Sequence, residues 1–305
     1  MKDLYLVAGI SKQALHQYNK RNEYLLITSK QVISHCNKIR QDHKRMGCRR
    51  MYWKVKNQVN VGRDVFEQIG FSNGFKLKLK RSVVKTTWAS KLQVFPNCLE
   101  GRTLTGMNQA LQCDFFYIKI ENTDYYGIAI IDVYTRRLLA LHVSTRLTSL
   151  ELIKALREAV KSRKGASLKD CIFHSDRGTQ FLSLNFKEEL KKNQFRQSMC
   201  KMAQENAYVE RVQGTIKNEY LSELVLTPKT IQSEIKRIKH LYNFERPHSK
   251  LDNQTPMEFE NLINQLTQKE RPPLTVYQWS HPLLTNMPVI NKEKRSKKET
   301  TTSTI

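Results

Sequence analysis

The sequence predicts an α/β core preceded by a small all-helical unit. Three observations predict it. Residues 1–80 carry apolar residues at near-helical spacing under a basic surface. From residue 107 the pattern becomes short apolar runs separated by tight turns, then alternating helix and strand. Between Cys171 and Phe181 an apolar strand ends abruptly in a polar turn, with Asp176 at the strand tip and Gly178 close behind.

At 305 residues the chain is long enough for two or three compact units, and an apolar fraction of 39% suffices for real cores. Lys and Arg number 52 against 28 Asp and Glu, a net charge of +24 spread along the whole length. A solvated surface would explain part of this. A polyanion partner explains it better, because cations that pair with phosphates release counterions. The six cysteines are scattered without a C-x-x-C pair. His35, Cys36, His43 and Cys48 fit no common zinc spacing and read as a helical face. No stretch reads as a signal peptide or approaches membrane-spanning length, so a reduced, cytoplasmic setting is expected.

Residues 1–80 form the expected helix-turn-helix-like region. Leu4 to Tyr18 is helical in spacing, with Gly9 and Ser11 as a turn within it. Ser29 is placed as the N-cap of a helix from Lys30 to His43. Gly47 separates it from a helix over Arg49 to Asn57, with Met51, Tyr52 and Val55 inward and Arg49, Arg50, Lys54 and Lys56 outward. That basic face fits a DNA reader, with Arg49 and Arg50 as candidate contacts, or a helical bundle without a DNA role. Residues 81–106 read as a basic connector.

Residues 107–225 read as the core. Leu111 to Ile120, Tyr125 to Tyr134 and Leu138 to Val143 are three strands joined by short turns, an antiparallel meander. Ser149 caps a helix to about Lys164. The Asp176 strand follows, then a helix over Asn185 to Asn193, a strand over Phe195 to Met199 and a long helix from Asn206 to about Leu224. Three strands, a helix, a strand and further helices fit the ribonuclease-H-like fold. Residues 226–268 extend the core with a helix over Thr227 to Asn243, Pro228 in its first turn, and another from Pro256 to about Gln268. Residues 269–305 read as a basic, loosely ordered tail.

Asp114 interrupts an apolar strand, where an unpaired carboxylate is costly. Glu210 lies on a helix whose same face carries Asn206 and Lys217. With Asp176 these give three carboxylates on separate elements, an oxygen donor set suited to Mg²⁺. Two such ions about 3.5–4 Å apart would serve phosphodiester chemistry. Singly, each residue reads as readily as a turn, cap or surface charge. Asp132 is a rival ligand with a structural role preferred, and Glu205 and Glu219 are rivals to Glu210. His174 either orients a carboxylate, touches DNA, or packs.

Taken together these stretches resemble one family. His174-Ser175-Asp176-Arg177-Gly178-Thr179-Gln180-Phe181 is similar to the second-aspartate motif of OrfB-type bacterial insertion-sequence transposases, within the DDE transposase and retroviral-integrase superfamily. Asn206-Ala207, Glu210, Gly214-Thr215 and Lys217-Asn218-Glu219 resemble its glutamate helix. Tyr242-Asn243, Arg246-Pro247-His248, Leu251 and Thr255-Pro256 resemble the segment after the core. Arg45 to Tyr52 resembles the preceding helical module. The composite spans residues 1 to about 265.

The resemblance implies that Asp114, Asp176 and Glu210 are the catalytic, metal-binding triad. It implies that Lys217 touches DNA near the scissile phosphate, with Arg177 and Asn206 as further candidate contacts. The implied reaction is 3′-end cleavage at the element's ends and joining of the 3′-OH to a phosphodiester, with two Mg²⁺ per site and Mn²⁺ as a substitute. DNA, further copies of the chain on DNA, and an upstream-frame product as fusion or partner are the implied associates. The implied location is bacterial cytoplasm, at the nucleoid when DNA-bound. The alternative is a DNA-binding regulator or inactive transposase remnant. The sequence departs from the family in four places. Leu111 stands where a tryptophan is common, Asp114-Phe115-Phe116 replaces an Asp-Ile-Thr-like run, thirty-three residues separate Asp176 from Glu210 instead of thirty-five, and Glu205 precedes Asn206-Ala207 where aspartate is usual.

Overall fold

The computed structural model describes residues 9–78, 95–163 and 165–277. It opens with three helices, α1 (Lys12–Asp42), α2 (Cys48–Val55) and α3 (Arg63–Ser72). The Ser11 hydroxyl caps α1 by accepting from Ala14 N–H at 3.0 Å. α1 then runs unbroken for 31 residues, so Ser29 lies inside a helix and starts none. No glycine or proline falls between Lys12 and Asp42, and a lone serine does not end a helix whose far half is buried. Val32, Cys36 and Ile39 of α1 pack on Met46, Met51, Val55 and Phe66 as one small core. α3 lacks a strong sequence marker, because its N-cap is Gly62 and no side chain caps it.

The second unit is built on a five-stranded sheet of β2 (Ala110–Ile120), β3 (Thr123–Asp132), β4 (Leu138–Ser144), β5 (Ile172–Ser175) and β6 (Arg196–Met199). Its spatial order is β4-β3-β2-β5-β6. β2, β3 and β4 form the expected antiparallel meander, while β5 runs parallel to both β2 and β6. This mixed sheet, covered on both faces, is the ribonuclease-H-like fold. One face holds Leu111, Cys113, Ile128 and Phe173 under α4 (Ser149–Lys161) and α5 (Leu184–Lys192). The other holds Phe116, Ile118, Ala129 and Leu141 under α6 (Ala207–Thr215) and α7 (Ile231–Phe244). Successive β2 residues alternate between these faces, as strand geometry requires. Across the sheet Phe116 lies over Gly127, where a Cβ would come within 2.3 Å of its ring.

Several boundaries differ from expectation. α4 is capped by the Thr148 hydroxyl, one residue earlier than Ser149. The helix after Asn206 ends at Thr215, widens into a π-helical turn over Ile216–Tyr220, then tightens to a 3₁₀ turn over Leu221–Glu223. Gly214, Thr215 and Ile216 weaken regular helix there. α7 starts at Ile231, because Thr227 and Thr230 bond each other and close a separate turn around Pro228. α8 (Pro256–Gln265) carries a Thr255–Glu258 capping box and Pro256 at its first position.

Two stretches expected to lie outside the core join it. β1 (Thr103–Leu104) pairs with β7 (Leu274–Thr275), and Leu99, Leu104 and Val276 are fully buried against α8 and the β2 start. The connector therefore ends in core packing, and the C-terminal stretch to Tyr277 folds back on it. The rest of both segments, residues 79–94 and 278–305, lies outside the described residues.

Candidate active site

The strand register brings Asp114 and Asp176 together. Gln112 pairs with His174 and Cys113 with Ser175 in parallel strands. One step on, where β5 ends and β2 continues, Asp114 and Asp176 stand side by side. Both fall on the α6 face by the two-residue alternation. Asp114 is half-buried, and its Oδ1 accepts from Phe115 N–H at 2.8 Å. Asp176 Oδ1 accepts from Gly178 N–H at 3.0 Å, and a Cβ at Gly178 would come within 3.1 Å of that oxygen. Glu210 is exposed in the first turn of α6, where the helix dipole favours an anion.

Electrostatics tie the three into one site. Burial, and next the neighbouring Asp176 charge, push the Asp114 carboxyl up to about 7. Burial raises Asp176 too. Glu210 is raised by desolvation and then by Asp176. The Asp176 charge thus raises the proton affinity of both Asp114 and Glu210, as like charges in one cleft do. The Lys217 ammonium lies 5.4 Å from the centre of the Phe116 ring. Burial lowers its pKa while the Asp114 charge opposes that shift. Among the described residues no three His, Cys, Asp or Glu side chains stand close enough together to hold a metal ion, so Asp114, Asp176 and Glu210 form an open set and not a formed metal site. An open set of acidic oxygens is the arrangement that suits Mg²⁺, which keeps waters and takes substrate phosphate as a ligand.

The rivals are occupied elsewhere. Asp132 is fully buried, accepts from the N–H groups of Asn108, Tyr134 and Thr135, and pairs with Arg163 at 3.0 Å. Glu205 is buried and accepts from the Lys201 and Met202 N–H groups, closing the shortened loop before α6. Glu219 holds Arg246 at 2.8 Å and Arg50 at 2.7 Å. His174 is buried, sits 2.9 Å from the Ser198 hydroxyl, and is pushed down to about 4 by burial. Full burial and the bond to Ser198 fit a packing role and keep the ring off a surface ligand.

The candidate DNA contacts divide. Lys217 is exposed beside the carboxylates, and Arg49 is exposed and pairs with Glu67 at 3.0 Å. Arg50 and Lys54 do not face outward. They reach the core carboxylates Glu219 and Glu245, because α2 docks its basic face there. The Arg177 guanidinium donates to the carbonyls of Cys200 and Lys201, which fastens the Asp176 turn to the exit of β6. Asn206 is buried and donates to the Cys113 carbonyl at 3.4 Å.

One positioning residue escaped the sequence. Gln112 is fully buried two residues before Asp114 on the same face. Its amide donates to the Glu205 carbonyl and the Tyr277 hydroxyl, and its carbonyl accepts from Val209 N–H at 3.2 Å. It thereby holds the start of the Glu210 helix against the Asp114 strand. The available signal was an amide inside an apolar strand, in phase with the aspartate.

A ribonuclease-H-like sheet with an aspartate on each of two neighbouring central strands and a glutamate on the covering helix is the architecture of the integrase catalytic cores. Two integrase core domain models match, over residues 105–204 and 194–256. The chain is 30% identical over 227 residues to an uncharacterized 31 kDa protein of insertion element IS600 from Shigella sonnei, covering 72% of this chain and 83% of that protein. It is 28% identical over 194 residues to the transposase InsF of insertion sequence IS3A from Escherichia coli, covering 62% and 67%. A solved structure of the HTLV-2 integrase catalytic core domain in complex with magnesium is 22% identical, with a TM-score of 0.42 over 51% of this chain and 97% of that one. The chain belongs to the integrase-core family of insertion-sequence DDE transposases.

Proposed function

We propose that this chain is a DNA transposase that cleaves the ends of its insertion sequence and joins the freed 3′-OH to a target phosphodiester. The single observation that supports this is the side-by-side placing of Asp114 and Asp176 one step past the Cys113–Ser175 pair, with the Asp176 charge felt at both Asp114 and Glu210 of α6. Such a cluster is stabilised when cations enter it.

Asp114, Asp176 and Glu210 would hold two Mg²⁺ ions, with Mn²⁺ able to replace them. Bound there, these ions would activate the attacking oxygen and stabilise charge on the leaving oxygen. Lys217 binds the DNA backbone beside the cluster, a role its exposure and place next to Asp114 support. Gln112 and Asn206 keep the Glu210 helix on the Asp114 strand. In cleavage, water attacks phosphorus, the 3′ oxygen leaves, and it takes up a proton. In joining, that 3′-OH attacks a target phosphorus, so one P–O bond forms as another breaks. Further copies of the chain on DNA, and an upstream-frame product as fusion or partner, complete the proposed assembly.

The test is cleavage and joining of a duplex carrying the element's end, with Mg²⁺, with Mn²⁺ and with EDTA. Joined products that require the metal support the reading. DNA binding with no product in any metal refutes it.

A further inference from the structure

β2 outruns its parallel neighbour. β5 pairs with it only from Ala110 to Cys113, so from Asp114 to Ile120 one edge of β2 has no strand beside it among the described residues. In an antiparallel strand the N–H and C=O of one residue point the same way, and the direction alternates along the chain. The carbonyls of Cys113 and Phe115 point away from β3, where Asn206 and Gln213 donate to them. By that alternation Tyr117 and Lys119 turn their backbone groups outward as well. An open edge of this kind is a standing offer of hydrogen bonds.

The edge faces a groove of about 240 Å³, closed on its other side by the chain from Lys217 to Leu226. Lys217 leads from the groove to Asp114. By the two-residue alternation Tyr117 and Lys119 rise from the face of β2 opposite to Asp114 and Lys217, so the groove straddles the open edge. Lys119 is exposed on that side, and Tyr117 is 45% exposed with its ring held edge-on by Tyr126 at 5.4 Å. Leu221 and Leu224 give an apolar wall on the Lys217 side. A cation on each side of the edge, outward N–H groups between them and a supported aromatic ring match one nucleotide lying across the edge: an anion with a flat apolar base. Glu121 at the far end would repel a further phosphate, so the groove is short.

We propose that this open β2 edge is a subsite for the DNA strand next to the scissile bond, with a phosphate on Lys119, Lys217 and the outward N–H groups and a base stacked on Tyr117. The subsite rests on the reading of the chain as a DNA-joining enzyme. A peptide strand could also pair with the edge, but it would leave both lysines without a counter-charge.

The test combines photocrosslinking with kinetics. End-containing duplexes carry 5-iodouracil in turn at bases on either side of the cleaved bond, and crosslinks to wild-type protein are mapped by mass spectrometry. The expected crosslink is at Tyr117. Tyr117→Ala is expected to raise KM for DNA on the order of tenfold, the effect of losing one stacked base, while kcat changes little. Tyr117→Phe, which keeps the ring, should restore KM. Metal-dependent joining with no crosslink at Tyr117 and an unchanged KM in Tyr117→Ala would overturn the subsite and leave the transposase reading standing. A Tyr117 crosslink in a wild-type protein that joins nothing would refute the transposase reading and support the subsite. A Tyr117→Ala protein with altered oligomeric state and unaltered DNA contact would show that the edge pairs with another chain, which also overturns it.

Discussion

Asp114 and Asp176 stand one residue beyond the Cys113–Ser175 pair, where β5 ends beside the middle of the parallel strand β2, and on the same face of the sheet. They are sixty-two residues apart in sequence, and only the register makes them neighbours. Everything proposed here about metal and DNA follows from that adjacency and from α6 lying across it.

Gln112 is the fastening between strand and helix. Gln112→Leu removes the acceptor for Val209 N–H and both donated bonds in a fully buried place. An orphaned buried group costs about 1–3 kcal/mol. Urea denaturation should therefore show a loss of about 2 kcal/mol. Joining activity should fall as well, because Glu210 loses its fixed approach to Asp114. A variant with wild-type stability would show that the clamp is dispensable.

The helical unit meets the core through ion pairs. Glu219 binds both Arg50 of α2 and Arg246, whose side chain is 3% exposed. Glu219→Ala strands that guanidinium, and breaking a buried pair on one side costs about 3–5 kcal/mol. Arg50→Ala leaves Glu219 with Arg246 and, for a half-exposed pair, should cost at most about 1 kcal/mol. Thermal melts of the two variants should rank in that order. Equal losses would contradict the assignment of Arg246 as the main partner.

Acid should unfold the protein through its buried histidines. Burial, reinforced by Arg246 and Arg136, pushes His248 down to about 3. Burial alone pushes His174 down to about 4, and it lowers His43 as well. An unfolded histidine titrates near about 6.5, so the unfolded chain takes up protons first. Stability is then full above about pH 6.5 and lost as pH falls toward the folded values. Asp114, held up at about 7, acts in the opposite sense over the same range, so the test is the difference between two proteins. Between pH 8 and pH 4 the melting temperature of His248→Gln should fall less steeply below pH 6.5 than that of wild type, and equal slopes would contradict a buried neutral His248.

Much of this was legible in the sequence, where the physics is local. The alternation along Ala110–Ile120 and the apolar run before Asp176 marked the strands to within a residue or two. Asp114 and Asp176 were readable as carboxylates set in or just after apolar strands, whereas Glu210 was singled out by its helix face shared with Asn206 and Lys217 and by the resemblance. Features decided by distant partners were not. Arg50 and Lys54 looked outward by helix phase, yet Glu219 and Glu245, nearly two hundred residues away in sequence for the latter pair, turn that face inward. Ser29 carried a cap residue's chemistry, but Val32, Cys36 and Ile39 bury the helix through it. The β1–β7 ladder joins segments 172 residues apart, and two-residue strands leave no periodicity to read.

The most direct test compares wild type with Asp176→Asn on an end-containing duplex in Mg²⁺ or Mn²⁺, using the upstream-frame fusion where such a frame exists. Asparagine keeps the size of the strand-end residue and removes its charge. The account predicts joined products from wild type that vanish in Asp176→Asn, while DNA binding and the melting temperature are retained. Products that persist in Asp176→Asn at the wild-type rate would contradict the claim that these carboxylates form the catalytic site.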